Sequence, residues 1–300
     1  MRKRFLLAVA VSLLVCACSK KSDNDNNPGP DPNPGANNNT AALNRLYANL
    51  QGKWGFSNII LQARQSAAIK ASTKFNRMGG LHIQARAADD KTGYIEFTTD
   101  STFLLEDGEG KYYTGKYSLK DSTTAELKGL GTLTKINFSQ NAISFTLSYG
   151  ANGAKTATVA GTKATPVATD DRTKSLCRLW YLTAEENGKD FIGEETEIYD
   201  ENGDLIETFI LDSLTYRATI YGTYVVEQYS KKVLKQSSVM NWKWHPANSE
   251  RFLYWDSNYG QHVGEVLIRS FKDNVLKLSD YYDPVESPDE HDDFTLKSVY

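Results

Sequence analysis

The residues able to do chemistry are few, and most are poorly spaced for it. The 300-residue chain has three cysteines, at positions 16, 18 and 177. Cys177 has no partner in the rest of the chain, so no disulfide framework holds the fold. Its neighbours Leu176 and Leu179 predict a buried small hydrophobe rather than a nucleophile. The histidines, His82, His245, His262 and His291, show no His-x-x-x-His spacing, and no cysteine pair accompanies them, so no metal site is expected. Asp200-Glu201-Asn202-Gly203-Asp204 has acids spaced as in part of a calcium loop. It lacks the later bidentate glutamate and its flanks read as strands, so a hairpin is the expectation. Glu286, Asp289, Glu290, Asp292 and Asp293 sit beside Pro284 and Pro288 and predict a solvated acidic loop before the last strand. There is no Ser-His-Asp arrangement, no nucleophile elbow and no Gly-rich phosphate loop, and a choice of two acids among 37 would be arbitrary. Neither an enzyme nor a cofactor is expected. What remains is aromatic: Trp242, Trp244, Tyr254, Trp255 and Tyr259 cluster in sequence, and Trp242 and Trp244, two apart, share one face of a strand. Such rings can line a pocket for an apolar ring or a sugar face. They can equally pack a core or form a cross-strand ladder.

The remaining chemistry lies at Cys18. Arg2, Lys3 and Arg4 precede an apolar run over residues 5–15, too short to cross a bilayer and of the length of a secretory signal. It ends in Val15-Cys16-Ala17-Cys18, with an aliphatic residue three before the last cysteine and a small one directly before it. This pattern resembles a bacterial lipobox with Cys18 as the lipidated residue, and residues 1–17 as the cleaved signal. Diacylglycerol on the thiol and an acyl chain such as palmitate on the amine would anchor the chain in effect permanently. Ser19, rather than Asp, resembles an outer-membrane address. Asp23 and Asp25 after Lys20 and Lys21 resemble an interrupted surface-export signal. The expected partner is therefore a membrane, reached through the lipid. The net charge of −3, made more negative by loss of the signal, speaks against nucleic acid or a polybasic membrane patch.

The elements that must position these residues read as follows. Residues 18–40 are a Pro/Asn/Gly-rich tether too polar to fold. Thr40 opens a short helix with Leu43, Leu46, Tyr47 and Leu50 at helical spacing. Leu50 to Trp54 open a strand, the alanine-rich residues 62–75 predict a helix, and from Gly93 the chain is all strand and turn, with Asn152-Gly153 as a hairpin. The first folded unit covers residues 41–162, a polar linker covers 163–174, and a second unit covers 175–300. Three landmarks recur in order: Trp54 and Trp180; Phe97-x-x-Asp100-Ser101 and Phe209-x-x-Asp212-Ser213; Gly115-x-Tyr117 and Gly222-x-Tyr224. The order predicts a duplication. Each half offers enough short, evenly spaced strands for an antiparallel barrel or sandwich.

Each half also resembles the lipocalin-like domains common in secreted lipoproteins of Bacteroidota. Leu50-x-Gly52-x-Trp54 matches that family's opening motif. The second half departs from it with Arg178 in place of the glycine, and Ser101 and Ser213 stand where the family turn often has Gly. The resemblance implies an all-β protein with two eight-stranded antiparallel barrels, in which Trp54 and Trp180 close one barrel end as structural residues. A barrel of eight strands is filled by side chains or holds one small ligand. The leading expectation is thus a small, partly apolar ligand bound by Trp242, Trp244, Tyr254, Trp255 and Tyr259. The alternative is a surface structural or interaction subunit with filled barrels that contacts proteins or glycans. An open interior favours the first and a plugged one the second.

Overall fold

The computed structural model describes residues 34–57, 61, 69–70, 92–182, 192–199, 204–256, 264–281 and 289–298. Cys18, the signal segment, Tyr259, His82, His262 and most of the tether lie outside the described residues. Among those described, no helix is long and apolar enough to cross a membrane.

The chain forms two closed eight-stranded antiparallel barrels. The first contains β1 (Gly52–Ser57), β3 (Thr92–Phe97), β4 (Thr102–Glu106), β5 (Lys111–Asp121), β6 (Thr124–Leu127), β7 (Gly131–Ser139), β8 (Ala142–Tyr149) and β9 (Lys155–Lys163). Each pairs with the next, and β9 returns to β1. A two-residue strand, β2 (Ile69–Lys70), pairs with the start of β5, so strand replaces the helix expected at these two positions. The second barrel contains β10 (Leu179–Leu182), β13 (Ser213–Ala218), β14 (Thr223–Ser230), β15 (Val233–Trp244), β16 (Arg251–Asp256), β17 (Gly264–Lys272), β18 (Val275–Tyr281) and β19 (Asp292–Ser298). Between β10 and β13 the chain makes a separate hairpin of β11 (Glu195–Tyr199) and β12 (Leu205–Ile210), which stays out of the ring.

Alternation dictates what faces inward. In β8, Ile143, Phe145, Leu147 and Tyr149 are buried and the residues between them are not. That period of two is what a pleated strand with one apolar face requires. Closure of the ring removes the unpaired edges that a flat sheet of this composition would expose.

Helix α1 (Pro34–Leu50) begins six residues before the expected cap at Thr40 and takes in the end of the expected tether. Proline in the first turn loses no hydrogen bond and presets φ, so Pro34 is a workable start. Helix α2 (Asp171–Leu176) lies in the expected linker, where the Asp170 carboxylate accepts from the Thr173 backbone N–H at 2.8 Å as its N-cap. Both helices end four residues before the motif tryptophan. Trp54 Nε1 donates to the Leu50 carbonyl at 2.9 Å and Trp180 Nε1 to the Leu176 carbonyl at 2.9 Å. Each indole thus donates to a carbonyl of the last helical turn while burying its rings in the barrel, and the Leu176 carbonyl also accepts from the Arg178 N–H at 2.9 Å. Gly52 adopts φ +124°, whereas Arg178 keeps a negative φ, which is why the second half tolerates a side chain there.

The two other landmarks fall one ring position apart. Asp100-Ser101 lies in the turn between β3 and β4, the second and third strands of the first ring. Asp212-Ser213 lies at the start of β13, the second strand of the other. β12, which carries Phe209, has left the ring for the hairpin, and an added strand later in the second half restores the count.

The barrels pack outer wall to outer wall. Tyr94, Leu104 and Tyr112 of the first bury against Val225 and Val239 of the second. Around this apolar patch, Lys53 Nζ donates to Thr223 Oγ1 at 2.9 Å, and Thr223 Oγ1 donates to Glu96 Oε2 at 2.7 Å. Arg217 forks onto Asp100 at 3.0 and 3.3 Å.

Candidate functional site

The two interiors differ. That of the first barrel is apolar and packed by Trp54, Phe56, Ile95, Phe97, Phe103, Phe145 and Leu147, all buried. A concavity of about 620 Å³ opens where β1 and β9 part after Gly55 and Thr162, lined by outward-facing small residues such as Ala142, Ser144 and Ala160 and by inward-facing Phe56, Gly93, Ile143 and Gly161.

The second barrel has an aromatic end and a polar end. At the aromatic end stand α2, Trp180, Trp242, Trp244 and Phe252. Trp242 and Trp244 share the inward face as their spacing predicts, with ring centroids 5.3 Å apart. Their role there is closure. Trp242 is 1% exposed and its Nε1 donates to the Thr219 carbonyl at 2.9 Å. Trp244 Nε1 donates to Thr173 Oγ1 at 2.8 Å, and Arg172 of α2 lies over its ring at 4.2 Å. Trp255 follows inward-facing Tyr254 and points to the outer wall, with Lys243 Nζ 5.4 Å from its ring centroid. Of the five expected contacts, the structure therefore brings together only Trp242, Trp244 and Tyr254 inside. Tyr259 lies outside the described residues. Cys177 beside α2 is half-buried, and burial pushes its thiol up, away from the reactive thiolate, with Glu96 and Asp170 adding to the shift.

Toward the other end the inward positions turn polar. Tyr254 donates to Asp280 Oδ1 at 2.9 Å. Gly264, opposite Tyr254, permits this: a Cβ there would run into the Tyr254 ring and hydroxyl. Asp280 is 5% exposed and pairs across the ladder with Asp292, also on the inward parity. Burial is the main cause that pushes the Asp280 carboxyl up to about 7; the Tyr254 hydrogen bond opposes it and the like charge of Asp292 adds to it. Among the described residues, no cation contributes. Tyr224 packs 5.7 Å from Tyr254 and 6.1 Å from Tyr216, and Tyr216 lies 5.8 Å from Phe294, so three tyrosines surround the carboxyl. Gln228, inward on β14 opposite Leu214, is 8% exposed, and its Oε1 is buried without a hydrogen-bond partner.

The β11–β12 hairpin, hereafter the arm, closes this polar end. Phe209 and Leu211 are buried in the same core as the barrel interior, with Ile192 and Ile198 packed against it. The arm is tied down by Lys235 Nζ to Glu207 Oε1 at 2.6 Å and by the Lys231 backbone N–H to Asp212. A second concavity, about 380 Å³, separates the arm from the β14–β15 turn. Outward, the arm exposes Leu205, Ile206 and Ile210 next to exposed Val233.

Asp280, Asp292 and Gln228 escape a search for motifs because each is a lone polar residue in a strand. The period of two would have found them. Leu276-x-Leu278-x-Asp280, Tyr224-x-Val226-x-Gln228 and Asp292-x-Phe294-x-Leu296 each put a polar group on an apolar face. Among the described residues, no group of three or more His, Cys, Asp or Glu side chains is placed to hold a metal ion.

No family model matches the chain, and no curated protein matches it. A solved structure from Nostoc punctiforme, described as a protein with unknown function from the DUF3598 family, is similar over 84% of this chain and 96% of its own at 9% identity. Its TM-score of 0.20 is too low to carry any inference about this chain.

Proposed function

We propose that the protein is a lipid-anchored extracytoplasmic lipoprotein of the outer membrane whose second barrel binds one small, partly apolar ligand. The observation that carries this reading is the contrast between the interiors. The first barrel is packed with apolar side chains and serves as a scaffold. The second keeps buried polar groups, Asp280 and the unpartnered Gln228 Oε1, above an aromatic floor. A buried acceptor left without a donor costs about 1–3 kcal/mol, which a bound ligand would relieve. Entry would be at the arm end, since α2 and three tryptophans close the other.

The test is to extract the native protein in detergent and identify co-purified small molecules by mass spectrometry. A compound recovered from the wild type and lost with Tyr254→Ala supports the reading, and repeated recovery of nothing counts against it. Anchoring is tested separately: Cys18→Ala should leave the membrane fraction and appear in the soluble one. If the variant stays membrane-bound with its signal processed, the lipobox reading is wrong.

A second reading, a surface interaction subunit, is favoured by one observation. Leu205, Ile206, Ile210 and Val233 form an exposed apolar group on and beside the arm. Replacement of Ile206 and Ile210 by Ser would abolish partner capture under that reading and leave ligand recovery unchanged under the first.

A further inference from the structure

The outer side of the arm takes no part in closing the second barrel. Residues 192–212 hold eight Asp and Glu and no Lys, Arg or His. Register puts Glu195 opposite Ile210 and Glu197 opposite Thr208, so two exposed carboxylates share the outward face with Ile210, while Phe209 and Ile198 face the barrel core. Among the described residues, four of the six exposed large hydrophobics, Leu205, Ile206, Ile210 and Val233, lie on the arm or on the β14–β15 turn that faces it. The groove of about 380 Å³ between arm and turn is lined by four consecutive residues of β12, 207–210. Successive strand residues point to opposite faces, so a groove that meets all four runs along the edge of the strand. β11 holds the other edge.

A strand edge beside a groove offers main-chain hydrogen bonds to an added strand, and the side chains around it select which strand. A second copy of the arm, an anionic membrane or a nucleic acid would bring negative charge against negative charge. Lys231, Lys232 and Lys235 of the turn offset only part of it, and Lys235 is already paired with Glu207. An extended segment with both basic and apolar residues meets both features. Its apolar side chains pack on Ile210 and Val233, and its cations reach Glu195, Glu207 and Asp212, all of which line the groove. We propose that the groove beside β12 docks an extended basic and apolar segment of a partner protein by strand addition. This rests on the interaction reading above, names the partner's chemistry, and is independent of any ligand in the barrel.

The experiment measures fluorescence anisotropy of two labelled eight-residue peptides, one alternating Lys and Val and one alternating Glu and Val, against the full chain extracted in detergent. The Lys–Val peptide should bind at least about tenfold more tightly, lose affinity as salt rises, and slow hydrogen exchange over residues 205–210. Glu195→Lys should cut that preference severalfold, and Ile210→Ser should weaken both peptides. Both substitutions change exposed side chains, and circular dichroism checks the fold. Should either variant misfold, the salt dependence and exchange pattern of the wild type carry the test. A Lys–Val peptide N-methylated at alternate residues should bind weakly, and undiminished binding overturns strand addition. Equal or tighter binding of the Glu–Val peptide overturns the basic class and leaves the interaction surface standing. Binding of neither peptide overturns the proposal, whereas the interaction reading itself falls if the Ile206 and Ile210 to Ser variant keeps partner capture.

Discussion

At the scale of single residues, Asp280 makes the sharpest claim. Its carboxyl is held near 7 in the fold, against an ordinary value of 3.8 when the chain is open. Between those two pH values the folded protein binds a proton that the unfolded chain does not. Stability must therefore fall as pH rises from about 4 to about 7, with a limiting slope of roughly 1.4 kcal/mol per pH unit from this group. Below that window both states are protonated and above it both are ionised, so the contribution is flat on either side. Denaturant midpoints measured across the window should show this slope, and Asp280→Asn should remove most of it. A variant that keeps the full slope would mean that the carboxyl is not the group responsible. Asp280 is also the residue that the sequence hid best. Read alone, an aspartate between Ser279 and Tyr281 looks like a solvent-facing strand end. The period of two that it shares with Leu276 and Leu278 places it on their face, and only the register with β19 then sets it beside Asp292.

At the scale of elements, the legible parts were those with a local cause. The strands on either side of Asn152-Gly153 and the β11–β12 hairpin follow from turn chemistry and short-range alternation, whereas Trp54 and Trp180 stand out through the family resemblance and not through a local pattern. What the sequence could not convey is which hairpin joins the ring. β12 and β3 carry similar residues before similar turns, yet β3 pairs with β1 while β12 pairs with β11, a choice made by long-range packing. The same limit applies to the tryptophans. Spacing put Trp242 and Trp244 on one face but could not say that α2 would cover that end of the barrel. Two outcomes belong at this scale. Trp180→Phe keeps an aromatic ring but removes the indole hydrogen bond to the Leu176 carbonyl, which retains the Arg178 N–H as donor, and should lower stability through that bond by about 0.5–1.5 kcal/mol in urea denaturation. Lys235→Ala removes the partly exposed pair with Glu207, worth less than about 1 kcal/mol globally. Its larger effect should be local, as faster hydrogen exchange over residues 195–210 with the barrel strands unchanged.

At the scale of the whole molecule, the question is why two barrels that each close on themselves should be held together. An interface of apolar groups alone would let the walls slide. The buried set of Lys53, Thr223 and Glu96 fixes one alignment, because each group needs the others. Burial pushes the Glu96 carboxyl up and the Lys53 amine down, and each opposes the shift of its partner. Removing only one of them strands a charge in the interface and costs roughly 3–5 kcal/mol, whereas replacing both by apolar residues of similar volume is often close to neutral. Glu96→Ala should therefore destabilise the joined state and split thermal unfolding into two calorimetric transitions, one for each barrel. The Lys53→Met, Glu96→Leu double variant should recover a single transition near the wild-type temperature. If the double variant also splits, the pairing supplies affinity as well as alignment, and the apolar patch of Tyr94, Leu104, Tyr112, Val225 and Val239 cannot hold the walls together by itself. If Glu96→Ala does not split, the Arg217–Asp100 fork at the edge of the interface is the stronger tie, and Arg217→Ala should then separate the transitions instead.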